Sequence, residues 1–369
     1  MRLPVLLTLL LVSAGCAEDA PPEAFLSLPA ADAVDRVDPV TGAQLSHTVV
    51  GKLPHTLVAS RDGRFVYVVL TGSQAVAELD ARTGELVRTL PTERVPETRA
   101  NGTRIEGHFT RDAFSKTSCF ACHGQANDAA KPAIVGSRPF GAVLSEDGSR
   151  LFVTNQRTGT LARIALDTGT LEAVLPLAPT GAAKEPTAIA RLGDSLYVTL
   201  LPVLPSTEPG VVRRLSADGE RALSESSTGP NAGNLTADPK RGHLYVSHFE
   251  TNAVSRLDAQ GAVQARYTVG NGPFGHALAK DGSLYVANYY DHSLSRVDGA
   301  SGEVLTTAPV DAAGRPLPNP THLAPHGDTL YALSSGTQGH LLTLDPDTLQ
   351  LRSSVDVAGL PFDLLLVSP

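Results

Sequence analysis

The chain has 369 residues, of which 42% are hydrophobic and 18% charged, so it can build a substantial core and general disorder is excluded as an expectation. Its formal net charge is −8 and it contains no basic run, which argues against a nucleic-acid partner, since phosphate binding needs clustered Lys and Arg. Gly (33) and Pro (27) are spread throughout, as suits many tight turns, while Trp is absent and Met occurs only at position 1.

The first element is an export signal. Arg2 provides a positive start, and Leu3 to Val12 is apolar apart from Pro4 and Thr8. That stretch is too short for a membrane-crossing helix, which needs about 20 apolar residues. Ser13, Ala14 and Gly15 then precede Cys16, an ending that resembles a bacterial lipobox in which the Cys is lipidated and becomes the first residue. Ser13 departs from the Leu usual there, and an ordinary signal-peptidase cut is the alternative. The expected division is a signal peptide over 1–15, a lipidated linker over 16–22 and the folded body over 23–369. The membrane is reached through the lipid only, in the periplasm or at the cell surface, with the outer membrane as the expected site.

A repeat occupies nearly all of the body. Each unit has a Pro-led apolar stretch, an aromatic-containing strand, a strand ending near Asp, a turn and a last strand. The second strands include FVYVV (Phe65 to Val69), LFVTN (Leu151 to Asn155), LYVTL (Leu196 to Leu200), LYVSH (Leu244 to His248), LYVAN (Leu284 to Asn288) and LYALS (Leu330 to Ser334). Third strands such as VSRLD (Val254 to Asp258) and LSRVD (Leu294 to Asp298) alternate as half-buried strands do. Four strands in about 40 to 45 residues is the spacing of a propeller blade. Six units start near Pro54, Pro139, Pro186, Pro230, Pro273 and Pro320. A seventh is split: Leu360 to Val367 supplies a first strand, and Phe25 to Val50 the other three. Joining the chain ends in one blade closes the ring and removes its open edges. The expected fold is an all-β, seven-bladed β-propeller with four-stranded blades.

FVTN at Phe152 to Asn155, with the LYVAN and RVD elements, resembles the YVTN-repeat propellers, a family of exported bacterial proteins. The resemblance covers most of residues 23 to 369 and implies the fold; propellers host many activities, so it implies little about function.

Residues 93–137 interrupt the repeat between the first and second complete units. They contain His108 and the run KTSCFACHGQ (Lys116 to Gln125). Cys-x-x-Cys-His is the attachment pattern of haem c. The thiols of Cys119 and Cys122 would bond the two haem vinyl groups, and His123 would be the proximal iron ligand. Gly124 lets the chain pass close to the ring edge. The alternatives are a Cys119–Cys122 disulfide or half of a zinc site; zinc would want four ligands, and no second Cys pair exists. One haem motif, rather than two, speaks against di-haem peroxidase chemistry, which the family resemblance would otherwise bring to mind.

With no Met in the mature chain, the sixth iron ligand is expected to be His108, or the position is open. His248, His292, His55 and His276 fall at strand ends or in loops of the face that receives the insertion, where the ordinary reading is a hydrogen-bonded His. The recurrent Asp80, Asp258, Asp298 and Asp345 fit turn formation better than calcium. No hydrolase or phosphate-loop motif occurs. The expected function is electron transfer by one covalent haem c, with an unidentified redox partner protein or small substrate. A haem-dependent oxidoreductase of peroxidase type and a non-enzymatic binding scaffold are the alternatives.

Overall fold

The computed structural model describes residues 22–93, 137–177, 184–202, 208–309, 311–312, 315–316, 319–336 and 338–368. They form seven four-stranded antiparallel sheets and one two-stranded ribbon, Asp311–Ala312 with Arg315–Pro316. Six sheets are consecutive in sequence. Their innermost strands are Pro54–Ala59, Pro139–Leu144, Lys184–Leu192, Ala232–Asp238, Pro273–Leu278 and Pro320–His326, here blades 1 to 6. The closing blade 7 takes its innermost strand from the C-terminal end, Leu364–Val367, and the rest from Glu23–Leu28, Ala33–Val37 and Gln44–Val49. Leu364–Val367 lies against the innermost strands of both blade 6 and blade 1, so the ring is closed. The split seventh unit therefore assembles as the sequence predicts.

The second strands read as continuous apolar runs because both of their faces are buried. In blade 1, Val66, Val68 and Leu70 pack toward blade 7, whereas Tyr67 and Val69 pack toward blade 2. The same division recurs at every interface: seven separate hydrophobic clusters each join two neighbouring blades. Burial of apolar area thus holds blade to blade, and no blade has a core of its own.

In four blades the Arg of the third strand clips the blade to the next. Arg36 donates to the Arg82 carbonyl of blade 1, Arg163 to the Asp218 carbonyl of blade 3, and Arg296 to the Asp347 carboxylate of blade 6. Arg256 donates to the Gly299 and Ala300 carbonyls of blade 5 at 3.2 and 2.7 Å. Arg256→Ala is expected to lower unfolding stability by about 1–2 kcal/mol, as a charge-assisted pair of hydrogen bonds is lost; urea titration checks this, and an unchanged midpoint would refute the clip. The Asp residues close the outer turns. Asp298 accepts the amides of Ala300 and Ser301, and Asp345 those of Asp347 and Thr348, which leaves the turn reading in place of calcium.

At the start of six innermost strands the register slips. Pro54 lies opposite Leu70, but Leu57 lies opposite Val68, so His55 and Thr56 together face one residue. Equivalent bulges follow Pro139, Pro186, Ala232, Pro273 and Pro320. Each bulge sets two residues against one at the same end of the ring, and in blades 2, 4 and 5 one of the two is a glycine, Gly141, Gly233 or Gly275. Neighbouring strands approach closely there: a Cβ on Gly275 would sit 2.0 Å from the Thr321 carbonyl oxygen.

Candidate functional site at the axial mouth

The bulges gather aromatic and imidazole rings over one end of the propeller axis. His55 of blade 1 lies between Phe140 of blade 2 and Phe362 beside blade 7, with ring centroids 4.1 and 3.5 Å away. Phe362 continues to His322 of blade 6 at 5.3 Å and to Phe274 of blade 5 at 6.1 Å, edge-on. Phe274 meets His322 at 5.6 Å and Tyr289 at 6.2 Å. Phe249 and Tyr290, 5.0 Å apart, extend the band to the rim, where Tyr290 is 45% exposed. Phe140 and His55 are buried, whereas Phe274, Phe362 and His322 are half-buried and present surface at the mouth.

The two chain ends that border residues 94–136 reach this same end of the ring. Asn155, the Asn of FVTN, donates its amide to the Thr92 carbonyl at 2.9 Å and to the Thr160 hydroxyl at 3.1 Å. The Thr92 and Ser137 hydroxyls lie 3.4 Å apart, and the Thr158 hydroxyl donates to Glu93. The Gln156 and Arg157 amides donate to the carbonyls of Arg138 and Ser137. Next to this stem, burial raises the Glu185 carboxyl, opposed by the charges of Arg138 and Arg157.

Cys16, His108, Cys119, Cys122 and His123 lie outside the described residues. The other histidines can be placed. His248 is fully buried, with Nδ1 on the Pro230 carbonyl at 3.1 Å and Nε2 on the Ser255 hydroxyl at 2.8 Å. It does the work of the repeat's Asn, as Asn288 does for Ser293 and Ser295. Both of its ring nitrogens are committed. His276 is buried behind the band with Nε2 on the Asn234 carbonyl at 3.2 Å, and its Nδ1 has no hydrogen-bond partner among the described residues. His292 has a left-handed backbone (φ 51°), and its Nδ1 accepts the Asn319 amide at 3.1 Å. His322 was not singled out by sequence. It holds the third position of the Pro-led start, equivalent to Thr56, and its Nε2 lies 3.6 Å from Asp363 Oδ1. No group of three or more His, Cys, Asp or Glu placed to hold a metal ion occurs among the described residues.

Burial dominates the protonation of two of these rings. It lowers both His248 and His276 from 6.5 to about 4. The unfolded chain takes up a proton as pH falls past the ordinary imidazole value, but the folded chain does so only near 4. Stability is therefore complete above that ordinary value and falls as pH drops toward 4, by up to about 3 kcal/mol per ring. The buried Asp363 carboxyl is raised, chiefly by desolvation, and offsets part of this loss once the folded protein protonates it. Urea titrations at successive pH values should show the decline, and His248→Asn should flatten it; a slope unchanged by that substitution would remove His248 as a cause.

A family model described as outer membrane protein assembly factor BamB matches residues 208–361, less than half of the chain. No characterised protein matches the sequence as a whole. Solved structures match well in shape. The Pseudomonas aeruginosa periplasmic gluconolactonase PpgL has 19% identity and a TM-score of 0.65, with 94% of this chain and 99% of that one covered. Kuenenia stuttgartiensis hydrazine synthase has 15% identity and a TM-score of 0.61, covering 96% of this chain and 100% of that one. Staphylococcus aureus virginiamycin B lyase has 14% identity and a TM-score of 0.55, covering 83% and 84%. These are likenesses of fold. They show the propeller fold and leave the chemistry to the residues of the site.

Proposed function

We propose that the protein is an exported, lipid-anchored β-propeller that carries one covalent haem c and transfers electrons to or from a redox partner. The observation that carries this reading is the sequence Cys119-Phe120-Ala121-Cys122-His123, in the longest stretch between consecutive blades. Cys119 and Cys122 would hold the haem through thioether bonds to its two vinyl groups, each thiol adding across one double bond with no net oxidation, and His123 would ligate its iron. His108 is the proposed second axial ligand. Once bound, the haem supplies a one-electron iron couple.

The described residues at the mouth suit such a group. Phe274 and Phe362 offer half-buried aromatic surface there. The leader ending at Cys16 supports export, where haem c is attached in bacteria. The family description, an assembly factor for outer membrane proteins, agrees with export. Among the described residues no helix is long and apolar enough to cross a membrane. The proposed anchor is a lipid on Cys16, at the end of the lipobox-like run.

A pyridine haemochrome spectrum of protein made with haem c maturation machinery tests the assignment. One c-type haem per chain is expected, and its absence would refute the reading. A low-spin spectrum that is insensitive to cyanide supports electron transfer with both axial positions filled. A high-spin spectrum with peroxide turnover would move the assignment to an oxidoreductase of peroxidase type.

A further inference from the structure

A row of hydroxyls knits the bulges together on one side of the ring. Thr154 of blade 2 and Thr199 of blade 3 hold the same place in their second strands. Each accepts the amide of its own bulge, Gly141 or Ala188, at 2.9 Å. Each also donates to a carbonyl at the start of the next blade, Thr187 at 2.6 Å or Gly233 at 3.2 Å. The Thr187 hydroxyl is used as well, 2.7 Å from that of Thr199.

In blades 5 and 6 the row is broken. The equivalent residues are Ala287 and Leu333, both fully buried, and neither side chain can form a hydrogen bond. Thr321 of blade 6 stands where blade 3 has Thr187. It is 1% exposed, and its hydroxyl has no hydrogen-bond partner among the described residues. The same holds for Nδ1 of His276, which is 9% exposed, and for Nδ1 of His322. The strands that carry these groups are close enough that a Cβ on Gly275 would sit 3.2 Å from the His322 Cα. Buried polar groups in folded proteins have partners, so three open ones on two neighbouring strands mark a place for one.

The hydrogens on the rings decide what that partner offers. His276 Nε2 lies on the Asn234 carbonyl, which only accepts, so Nε2 carries the hydrogen and Nδ1 presents a lone pair. His322 turns Nε2 toward the Asp363 carboxyl at 3.6 Å, which favours the same tautomer. Two acceptors and a hydroxyl call for a donor. The His322 ring also lies 5.6 Å from Phe274, edge-on, and 5.3 Å from Phe362. Neither phenylalanine belongs to the seven clusters that join the blades. Aromatic surface beside a few convergent polar groups is the make-up of a small-molecule site, and rings favour a planar guest.

We propose that blades 5 and 6, at the axial end of their interface, bind a small planar molecule with an O–H or N–H donor, of the phenol or aromatic amine class. Its ring packs on Phe274 and Phe362, and its donor pairs with His322 Nδ1 beside the Thr321 hydroxyl. Only residues of blades 5 to 7 take part, so the site does not depend on the haem reading.

Isothermal titration of the mature protein with phenol, and with anisole as the same ring without a donor, tests this. Phenol is expected to bind once per chain, with anisole at least about tenfold weaker. His322→Phe, which keeps a ring and removes the acceptor, should weaken phenol about tenfold and leave anisole unchanged. Val304→Ser, on the outer edge of blade 5, should change neither. Equal affinity for the two probes, no binding of phenol at millimolar concentration, or unaltered phenol affinity in His322→Phe would each overturn the site. If His322→Phe unfolds, the isosteric Thr321→Val is titrated instead, and unaltered phenol affinity there overturns the proposal. Discrimination between the probes by protein that carries no covalent haem would refute the haem reading alone.

Discussion

Protein in which Cys119 and Cys122 are both replaced by alanine is expected to carry no haem that survives denaturing electrophoresis, while its propeller remains folded. The two thiols act as a pair, each holding one side of the macrocycle, so a single substitution should leave one attachment and a reduced yield, whereas the double change removes all of it. His123→Ala should keep some thioether-bound haem but alter its axial ligation and hence its spectrum. Stability should change by no more than about 0.5 kcal/mol, because the clusters that join the blades are built from residues of the propeller's own strands and turns. Retention of the haem stain in the double variant would eliminate thioether attachment. A propeller that fails to fold without these residues would mean that the stretch between blades 1 and 2 is structural.

Asp363→Ala is expected to be strongly destabilising. The Asp363 side chain accepts the buried amides of Leu57, in blade 1, and Leu364, in blade 7, both at 2.8 Å. The same carboxylate lies near His322 of blade 6. Its backbone amide donates to the Ser27 hydroxyl, and the Ser27 amide donates back to its carbonyl. One residue thus ties three blades at the joint where the two ends of the chain meet. Alanine leaves buried amides without an acceptor, at a cost of about 3 kcal/mol. Asparagine keeps an acceptor oxygen and should lose less. Urea titration and unfolding kinetics measure both, with faster unfolding expected because the joint is where an opened ring would part. Equal stability of Asp363→Ala and the unsubstituted protein would show that blade packing alone closes the ring.

The repeat was legible because its signals are local. A strand buried on both faces must be apolar throughout, and a two-faced outer strand must alternate, so FVYVV and VSRLD announce their places without knowledge of their neighbours. Turn chemistry is local as well, and Asp298 and Asp345 close the turns expected of them. The boundaries were less exact. Blade 3 begins at Lys184 rather than Pro186, and blade 4 at Ala232 rather than Pro230, because pairing with the second strand, not proline, decides where a strand starts. The short ribbon at Asp311–Ala312 and Arg315–Pro316 had no sequence signal beyond turn-forming residues.

The site was legible only in part. His248 and His276 lie at the predicted end of the ring, but the same packing that puts them there commits or buries their nitrogens. His322 and Asp363 escaped notice because nothing near them in sequence marks them. Their partners are Phe274, Phe362 and Leu57, brought together by closure of the ring. By itself, then, the sequence determined the repeat, the seven blades and the Cys119–His123 pattern, since each depends on residues within one strand or one loop. Only the tertiary structure decided which rings share the axial mouth and which carboxylate secures the joint. Those contacts join residues up to 336 positions apart, and no local preference can specify them.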